Sequence, residues 1–172
     1  MRALLPHLAG GRLGSFERVS VHAPLSFDTS VTDVQPILDG IEHDLVLHPD
    51  VYRDEAWVAG LGSRAVFENM DVAKSFGRTA ADLKLVFERF PGAGFCLDVA
   101  HVRTNDASLA LGHELLDAFG GRLRQLHVSG IEPDGTHRLT TEADLALYEP
   151  LLRRAEHVPW LLEAELEAPT VR

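Results

Sequence analysis

The sequence is poor in cysteine and in long apolar runs. Cys96 is its single cysteine, so no disulfide can form within the chain, and a reducing, cytoplasmic location is expected. No apolar stretch is long enough to cross a bilayer, and no secretory segment follows Met1. We therefore expect neither a disulfide-stapled secreted domain nor a membrane as a partner.

Basic residues are scarce relative to acidic ones. The chain has 16 lysines and arginines against 26 aspartates and glutamates, which gives a formal net charge of −10 at pH 7. Proteins that bind nucleic acid usually present a basic surface, so nucleic acid is not an expected partner. Bound cations would compensate part of the carboxylate excess.

The remaining composition is that of an ordinary folded domain. The 172 residues are 45% hydrophobic and 24% charged, close to the averages of globular proteins. A chain of this length can bury a sizeable core. We expect one domain that spans residues 1–172.

Six short apolar runs divide the chain, and each ends in a residue that can bind a metal: His22, His48, Glu68, Asp98, His127 and Glu163. Runs rich in Val, Leu and Phe are typical of buried parallel strands. The terminal residues are spaced near the roughly 30 residues of a strand–helix–strand unit. The spacing predicts repeated βα units.

Helical segments lie between these runs. Thr79 and Thr141 each precede an acidic residue by three positions, a capping-box pattern that predicts a helix start. Residues 108–119 have a helical apolar stripe that stops at Gly120. Shorter or weaker helices are predicted over residues 1–8, 31–41 and 54–60. Strands that alternate with helices predict an α/β fold.

The strand ends predict a shared metal site. In a parallel barrel, all strand carboxyl ends open on one face, so three histidines and three carboxylates would converge there. A mixed imidazole–carboxylate set suits Mn²⁺, Zn²⁺, Co²⁺ or Fe²⁺, whereas carboxylates alone favour Mg²⁺. A polarising metal with flanking carboxylates can move protons, and several metals can activate water. Ligand identity alone does not separate these two chemistries.

The order of these motifs resembles the xylose-isomerase-like TIM barrel superfamily, which contains sugar isomerases and epimerases, inosose dehydratases and the endonuclease IV class of nucleases. The resemblance runs from Ser20 to Glu163 through the segments SVHAP, VLHP, FENM, LDVAH, LHVS and LE. Six weak motifs in the right order are specific for the superfamily but not for one reaction. The resemblance implies a TIM-barrel-like parallel sheet.

The resemblance also implies roles for individual residues. In the isomerases and epimerases, the positions of Glu68, Asp98, His127 and Glu163 hold one divalent metal. Glu68 and Glu163 would also exchange protons with the substrate, and His101 would contact it. In the endonuclease IV class, the positions of His22 and His48 bind further zinc ions, and a later Asp–His pair joins His101. The nearest counterparts are Asp134 and His137, but their spacing is one residue too wide, and Asp134 fits a turn.

Length departs from the superfamily pattern. An eight-stranded barrel typically needs about 250 residues. The strand ending at His22 corresponds to the third strand, so we expect a truncated, partial barrel of about six βα units that lacks the first two strands. Such a sheet leaves two unpaired edges, which predicts a homodimer that covers at least one of them.

Together these features predict a metal-dependent enzyme. We expect an isomerase or epimerase that acts on a small sugar or polyol, with Glu68 and Glu163 as catalytic residues. Four histidines would bind the substrate: His22, His48, His101 and His137. Mn²⁺ or Zn²⁺ is the expected metal, with Mg²⁺, Co²⁺ and Fe²⁺ as alternatives. An endonuclease IV-like phosphodiesterase and an inactive barrel remnant with a binding role are the other two hypotheses.

Overall fold

The computed structural model describes residues 18–23, 38–52 and 55–164. Its strands, in chain order, are β1 (Ser20–His22), β2 (Asp44–Leu47), β3 (Ala65–Glu68), β4 (Gly94–Asp98), β5 (Leu123–Val128), β6 (Gly130–Ile131), β7 (His137–Arg138) and β8 (Trp160–Leu162). Six of them form one parallel sheet in the order β1-β2-β3-β4-β5-β8. The sheet curls into a half-barrel, which confirms the predicted α/β fold with a partial, TIM-barrel-like sheet.

Five α-helices lie wholly within the described residues: α1 (Glu55–Leu61), α2 (Ala80–Arg89), α3 (Val99–Asn105), α4 (Ala110–Phe119) and α5 (Glu142–Arg154). Both predicted capping boxes are present, with Thr79 starting α2 and Thr141 starting α5. The α4 helix ends at Phe119 next to Gly120, as predicted. The helix predicted over residues 1–8, and most of the one over residues 31–41, lie outside the described residues.

Successive side chains of each strand point to opposite faces of the sheet, so one face packs in the large core and the other carries the site. Phe67, Phe95 and Leu97 are fully buried in the large core that includes apolar residues of the helices. Val46, Val66 and Cys96 form a separate small cluster. His48, Glu68 and Asp98 each follow one of these three residues by two positions, so they lie on the same face of the sheet as that cluster. The alternation therefore carries these polar side chains to the inner side of the half-barrel.

Cys96 packs in the small cluster with Val46 and Val66, and its Sγ lies within 4.8 Å of ligand atoms of Glu68 and His127. Its thiol is free and buried, and burial raises its pKa to about 12. A neutral thiol packed against two valines is suited to filling space below the site.

In the described part of the chain, no helix has the length and apolar character needed to span a membrane.

The end strands of the sheet are β1 and β8, and their carboxyl ends approach each other. His22, the last residue of β1, and Glu163, after β8, each place a ligand atom within 4.8 Å of the other and of His127. On β8, Leu162 is 74% exposed and Trp160 44% exposed. The curl therefore brings the two edges of the sheet together at the end where the polar residues lie.

The homodimer stays a prediction, and these edges give it a test. Burying the edges should produce an interface above roughly 1,000 Å². Sedimentation equilibrium at micromolar concentration should then give about twice the mass of 18.9 kDa. A mass of one chain across the whole concentration range would contradict the dimer.

Candidate metal centre

Four side chains from different strands converge at the carboxyl ends of the sheet. Glu68 ends β3, Asp98 ends β4, His127 lies on β5, and Glu163 follows β8. Each offers one ligand atom within 4.8 Å of the others. The structure thus brings together the four residues that the sequence assigns to a metal, within the reach of one coordination sphere.

Glu68 is the hub of this cluster. Its side chain is buried, and its Oε2 lies 3.0 Å from His22 Nε2 and 3.2 Å from His48 Nε2. Its Oε1 lies 2.9 Å from His127 Nδ1. Burial alone would raise the pKa of Glu68, but the hydrogen bonds from His127, His22 and His48 lower it well below its usual value. Glu68 is therefore a carboxylate whose two oxygens face different imidazoles.

His127 stands between two glutamates. Its Nδ1 lies 2.9 Å from Glu68 Oε1 and 3.0 Å from Glu163 Oε2. Burial opposes ionisation of Glu163, yet the hydrogen bond from His127 lowers the pKa of Glu163 to about 2. Glu163 is 37% exposed, so it connects the buried centre with solvent.

Asp98 carries the clearest sign that a cation fits here. Its Oδ1 accepts a hydrogen bond of 2.7 Å from the backbone N–H of His101, so Asp98 caps the N-terminus of α3. Its Oδ2 is buried and has no hydrogen-bond partner among the described residues. Burial raises the pKa of Asp98 to about 7, and the nearby Glu68 and Glu163 charges add to this effect. A divalent ion would satisfy the free oxygen and offset the crowded negative charge.

The same cluster contains four further overlapping groups of potential ligands. Two of them are His22 with His127 and Glu163, and Cys96 with Glu68 and His127. In the other two, His22 and His48 meet at Glu68, and His101 and His137 meet at Asp98. The two rings of the second pair approach to 3.2 Å between their Nε2 atoms. All four histidines that the sequence assigns to the substrate therefore border the four-residue centre.

Asp134 lies away from these groups, in the turn that the sequence predicts. Its Oδ1 accepts a hydrogen bond from the Thr136 backbone, and this bond lowers the pKa of Asp134. Gly135, the next residue, has a φ of 90°. The turn connects β6 to β7, on which His137 lies, and Asp134 stays in the turn.

Sequence reasoning missed two residues that hold the ligands in place. Gln125 lies two positions before His127 on the same strand face, and its Nε2 is 2.8 Å from His127 Nε2. Asn69 bonds both backbone groups of Asp98, donating at 3.0 Å and accepting at 2.8 Å. The alternation could have identified Gln125, whereas the contact of Asn69 crosses between strands and leaves no local signal.

A cleft of about 510 Å³ opens above the centre. Its lining comprises His22, His48, Asp71, Lys74, His101, His137, Leu162, Glu163 and Ala164. Among the described residues that line it, Lys74 is the one basic side chain besides the histidines, and its Nζ lies 3.5 Å from Asp50 Oδ2. The volume is within the range of small-molecule sites.

The sequence matches no protein-family model and no curated protein. Among solved structures, the crystal structure of AsfvAP:AG is similar, with a TM-score of 0.55 and 19% identity, covering 96% of this chain and 71% of that chain. A second is the apo form of 3-keto-D-glucoside 4-epimerase from E. coli, with a TM-score of 0.48 and 16% identity, covering 79% of this chain and 63% of that one. The first similarity supports the barrel-like fold.

Metal binding should stabilise the folded chain. An ion that binds only the native state adds about 2.7 kcal/mol when its free concentration is one hundred times its dissociation constant. For a protein of this size, Tm should rise by about 5–10 °C. Thermal denaturation in EDTA and in Mn²⁺ measures the shift, with Ca²⁺ as the control for ionic strength. An identical Tm in EDTA, Mn²⁺ and Zn²⁺ would favour the inactive remnant.

The affinity for metal should rise with pH between about 5 and 7. Because the pKa of Asp98 is raised to about 7, this carboxyl holds a proton below that pH in the metal-free fold. Although burial opposes it, contacts with Cys96, Glu163 and Glu68 raise the pKa of His127, so this imidazole ligand must also lose a proton. Each displaced proton should strengthen binding about ten-fold per pH unit.

Calorimetric titration with Mn²⁺ at pH 5.5, 6.5 and 7.5 measures this dependence. Two buffers with different ionisation enthalpies give the number of protons released. Asp98→Asn should release about one proton fewer than the wild type. Equal affinities at pH 5.5 and 7.5 would contradict the expected proton release.

Proposed function

We propose that this chain is a divalent-metal-dependent isomerase or epimerase that acts on a small sugar or polyol. The observation that carries the proposal is the placement of Glu68 and Glu163. Each lies within 3.0 Å of one imidazole nitrogen, Nδ1 of His127. Two carboxylates that share one point are suited to moving protons at a substrate held between them.

The chemistry assigns a part to each residue. A divalent ion held by Glu68, Asp98, His127 and Glu163 would supply polarisation of the substrate carbonyl. One glutamate would remove the proton from the carbon next to that carbonyl. A glutamate would then return a proton to the opposite face of the same carbon, which is epimerisation. Alternatively, the proton would return to the former carbonyl carbon while the adjacent hydroxyl proton moves to the former carbonyl oxygen, which is isomerisation.

The cleft histidines complete the substrate site. Imidazole rings can donate and accept hydrogen bonds, which suits the hydroxyl groups of a sugar or polyol. The pKa of His137 is lowered, first by burial and then by the nearby His101, so His137 favours its neutral form. His22, His48, His101 and His137 would therefore orient the hydroxyl groups.

A metal-dependent phosphodiesterase of the endonuclease IV kind is the second candidate. The contacts of His22 and His48 with one oxygen of Glu68, while His127 faces the other, favour it. This arrangement suits a carboxylate shared between two metals, and paired metals can activate water for phosphodiester cleavage. The net charge of −10 opposes a DNA substrate.

Solvent exchange in D₂O tests the proposal. The protein, loaded with Mn²⁺ or Zn²⁺, is incubated with a panel of small aldoses, ketoses and polyol derivatives that carry a carbonyl, and NMR follows deuterium at the carbons beside the carbonyl. We expect deuterium to enter at least one substrate. A parallel assay measures cleavage of duplex DNA that contains an abasic site. Cleavage without deuterium exchange would favour the second candidate, and neither activity would favour the inactive remnant.

A further inference from the structure

We propose that Asp144 is a positioning residue: through Arg103 and Arg138, it holds together the two segments that bring His101 and His137 into contact. Asp144 lies in the first turn of α5 and is 3% exposed. The inference rests on the proposed role of the two histidines in the cleft. Its structural part can be measured without metal or substrate.

Both arginines are sequence neighbours of the histidines. Arg103 lies on α3, two residues after His101, and its Nη1 donates to Asp144 Oδ1 at 2.7 Å. Arg138 directly follows His137 on β7. Its Nη1 donates to Asp144 Oδ2 at 2.6 Å, and its Nη2 lies 3.2 Å from Oδ1. One carboxylate therefore ties α3 to the β6–β7 hairpin through charge-assisted bonds.

The hairpin is short, and other contacts among the described residues also support it. Glu132 N–H donates to Thr136 O at 2.9 Å, Arg138 Nε lies 3.3 Å from Glu132 Oε1, and Ser129 Oγ lies 3.2 Å from His137 Nδ1. The hairpin's ladder consists of Gly130 paired with Arg138 and Ile131 paired with His137. A two-stranded ribbon of this length is marginal without further packing. The Arg138–Asp144 contact supplies a fixed point directly beside His137, whose Nε2 lies 3.2 Å from His101 Nε2.

Gly130 leaves the space that this contact needs. A Cβ added at Gly130 would lie 2.0 Å from Arg138 Nη1 and 2.6 Å from its Cζ. The guanidinium therefore crosses directly over the glycine on its way to Asp144. A residue with a side chain at this position would displace Arg138.

Asp144 also caps α5, so the two roles must be separated. Its Oδ2 accepts from the backbone N–H and hydroxyl of Thr141, while Asp144 N donates to Thr141 Oγ1. The same capping box starts α2, with Thr79 and Asp82, where no arginine side chain is recorded on the carboxylate in the described residues. Asp82→Asn is the matched control, because it weakens a cap without touching the arginine contacts.

The test compares Asp144→Asn, Arg138→Lys and Asp82→Asn with the wild type. Arg138→Lys keeps the charge and the α5 cap but loses the bidentate guanidinium contact with Asp144. If Asp144→Asn does not fold, Arg138→Lys alone therefore tests the positioning role. The N–H of Glu132 donates to Thr136 O across the hairpin. Amide hydrogen exchange at Glu132 should become about ten- to one-hundred-fold faster in Asp144→Asn and Arg138→Lys, because charge-assisted hydrogen bonds contribute about this much stability. The nuclear Overhauser contact between the rings of His101 and His137 should be lost.

A spectroscopic measurement distinguishes positioning from general stability. Asp98, His101 and His137 form one of the groups that could hold an ion, so Co²⁺ added in excess to each protein gives a visible absorption spectrum that depends on the geometry of these two histidines. We expect Asp144→Asn and Arg138→Lys to change this spectrum and Asp82→Asn to leave it as in the wild type. The inference would be overturned if folded Asp144→Asn and Arg138→Lys kept the wild-type spectrum and ring contact. It would also be overturned if Asp82→Asn changed the spectrum and the ring contact equally. Failure of every sugar to exchange deuterium would remove the proposed function and leave this result standing.

Discussion

Replacing Glu68 with glutamine should abolish metal binding and activity together. Three imidazoles face this side chain within 3.2 Å, and its carboxylate belongs to both the four-residue centre and the His22–His48 group. An amide carries no charge and presents only one acceptor oxygen. Because changes around the ligands already cost 10- to 100-fold in affinity, loss of this ligand should cost more than about 100-fold.

The same substitution should destabilise the metal-free fold. Removing one partner from a buried ionic cluster leaves uncompensated charge, at a cost of about 3–5 kcal/mol. Elemental analysis after dialysis against Mn²⁺ and chemical denaturation in EDTA measure the two effects separately. Glu149→Gln is the matched control, since it removes only an exposed ion pair with Arg153 on α5. A Glu68→Gln protein that binds metal like the wild type would contradict the central role of Glu68.

The fold was predictable because its signals are local. Each buried parallel strand is a short apolar run in the sequence, and Thr79 and Thr141 show the start of their helices three residues in advance. Parallel strands joined by right-handed crossovers leave few topologies, and the observed sheet order is one of them. The β6–β7 hairpin was not predicted as strands, because four residues provide too short a pattern to recognise.

The site was only partly predictable, because some of its contacts have no local signal in the sequence. Strand ends place Glu68, Asp98 and His127 by topology alone, so their convergence follows from the order of the strands. The contacts that hold them in place do not. Gln125 against His127, Asn69 against Asp98, and Asp144 against two arginines depend on side-chain directions that alternation alone does not specify. The resemblance to a superfamily supplied ligand positions and left these supporting residues unidentified.

Replacing Glu163 with glutamine should separate catalysis from metal binding. Glu163 is partly exposed and lies 3.0 Å from His127, at the edge of the cluster. An amide oxygen can still face a metal, but an amide cannot carry the proton that isomerisation or epimerisation requires. We expect kcat to fall by about 10²- to 10⁴-fold, the usual contribution of a general acid or base, while metal remains bound.

Deuterium exchange and metal content, measured on the same preparation, decide the outcome. The contrast with Glu68→Gln is the internal control, because that variant should lose both quantities and Glu163→Gln only the first. In a phosphodiesterase, where metals activate the water, Glu163 would matter through the metals it holds, and activity should then fall in proportion to lost metal. A Glu163→Gln protein that keeps its metal and still exchanges deuterium at the wild-type rate would remove Glu163 from the proton-transfer step. Glu68 would then be left as the single carboxylate positioned for that step.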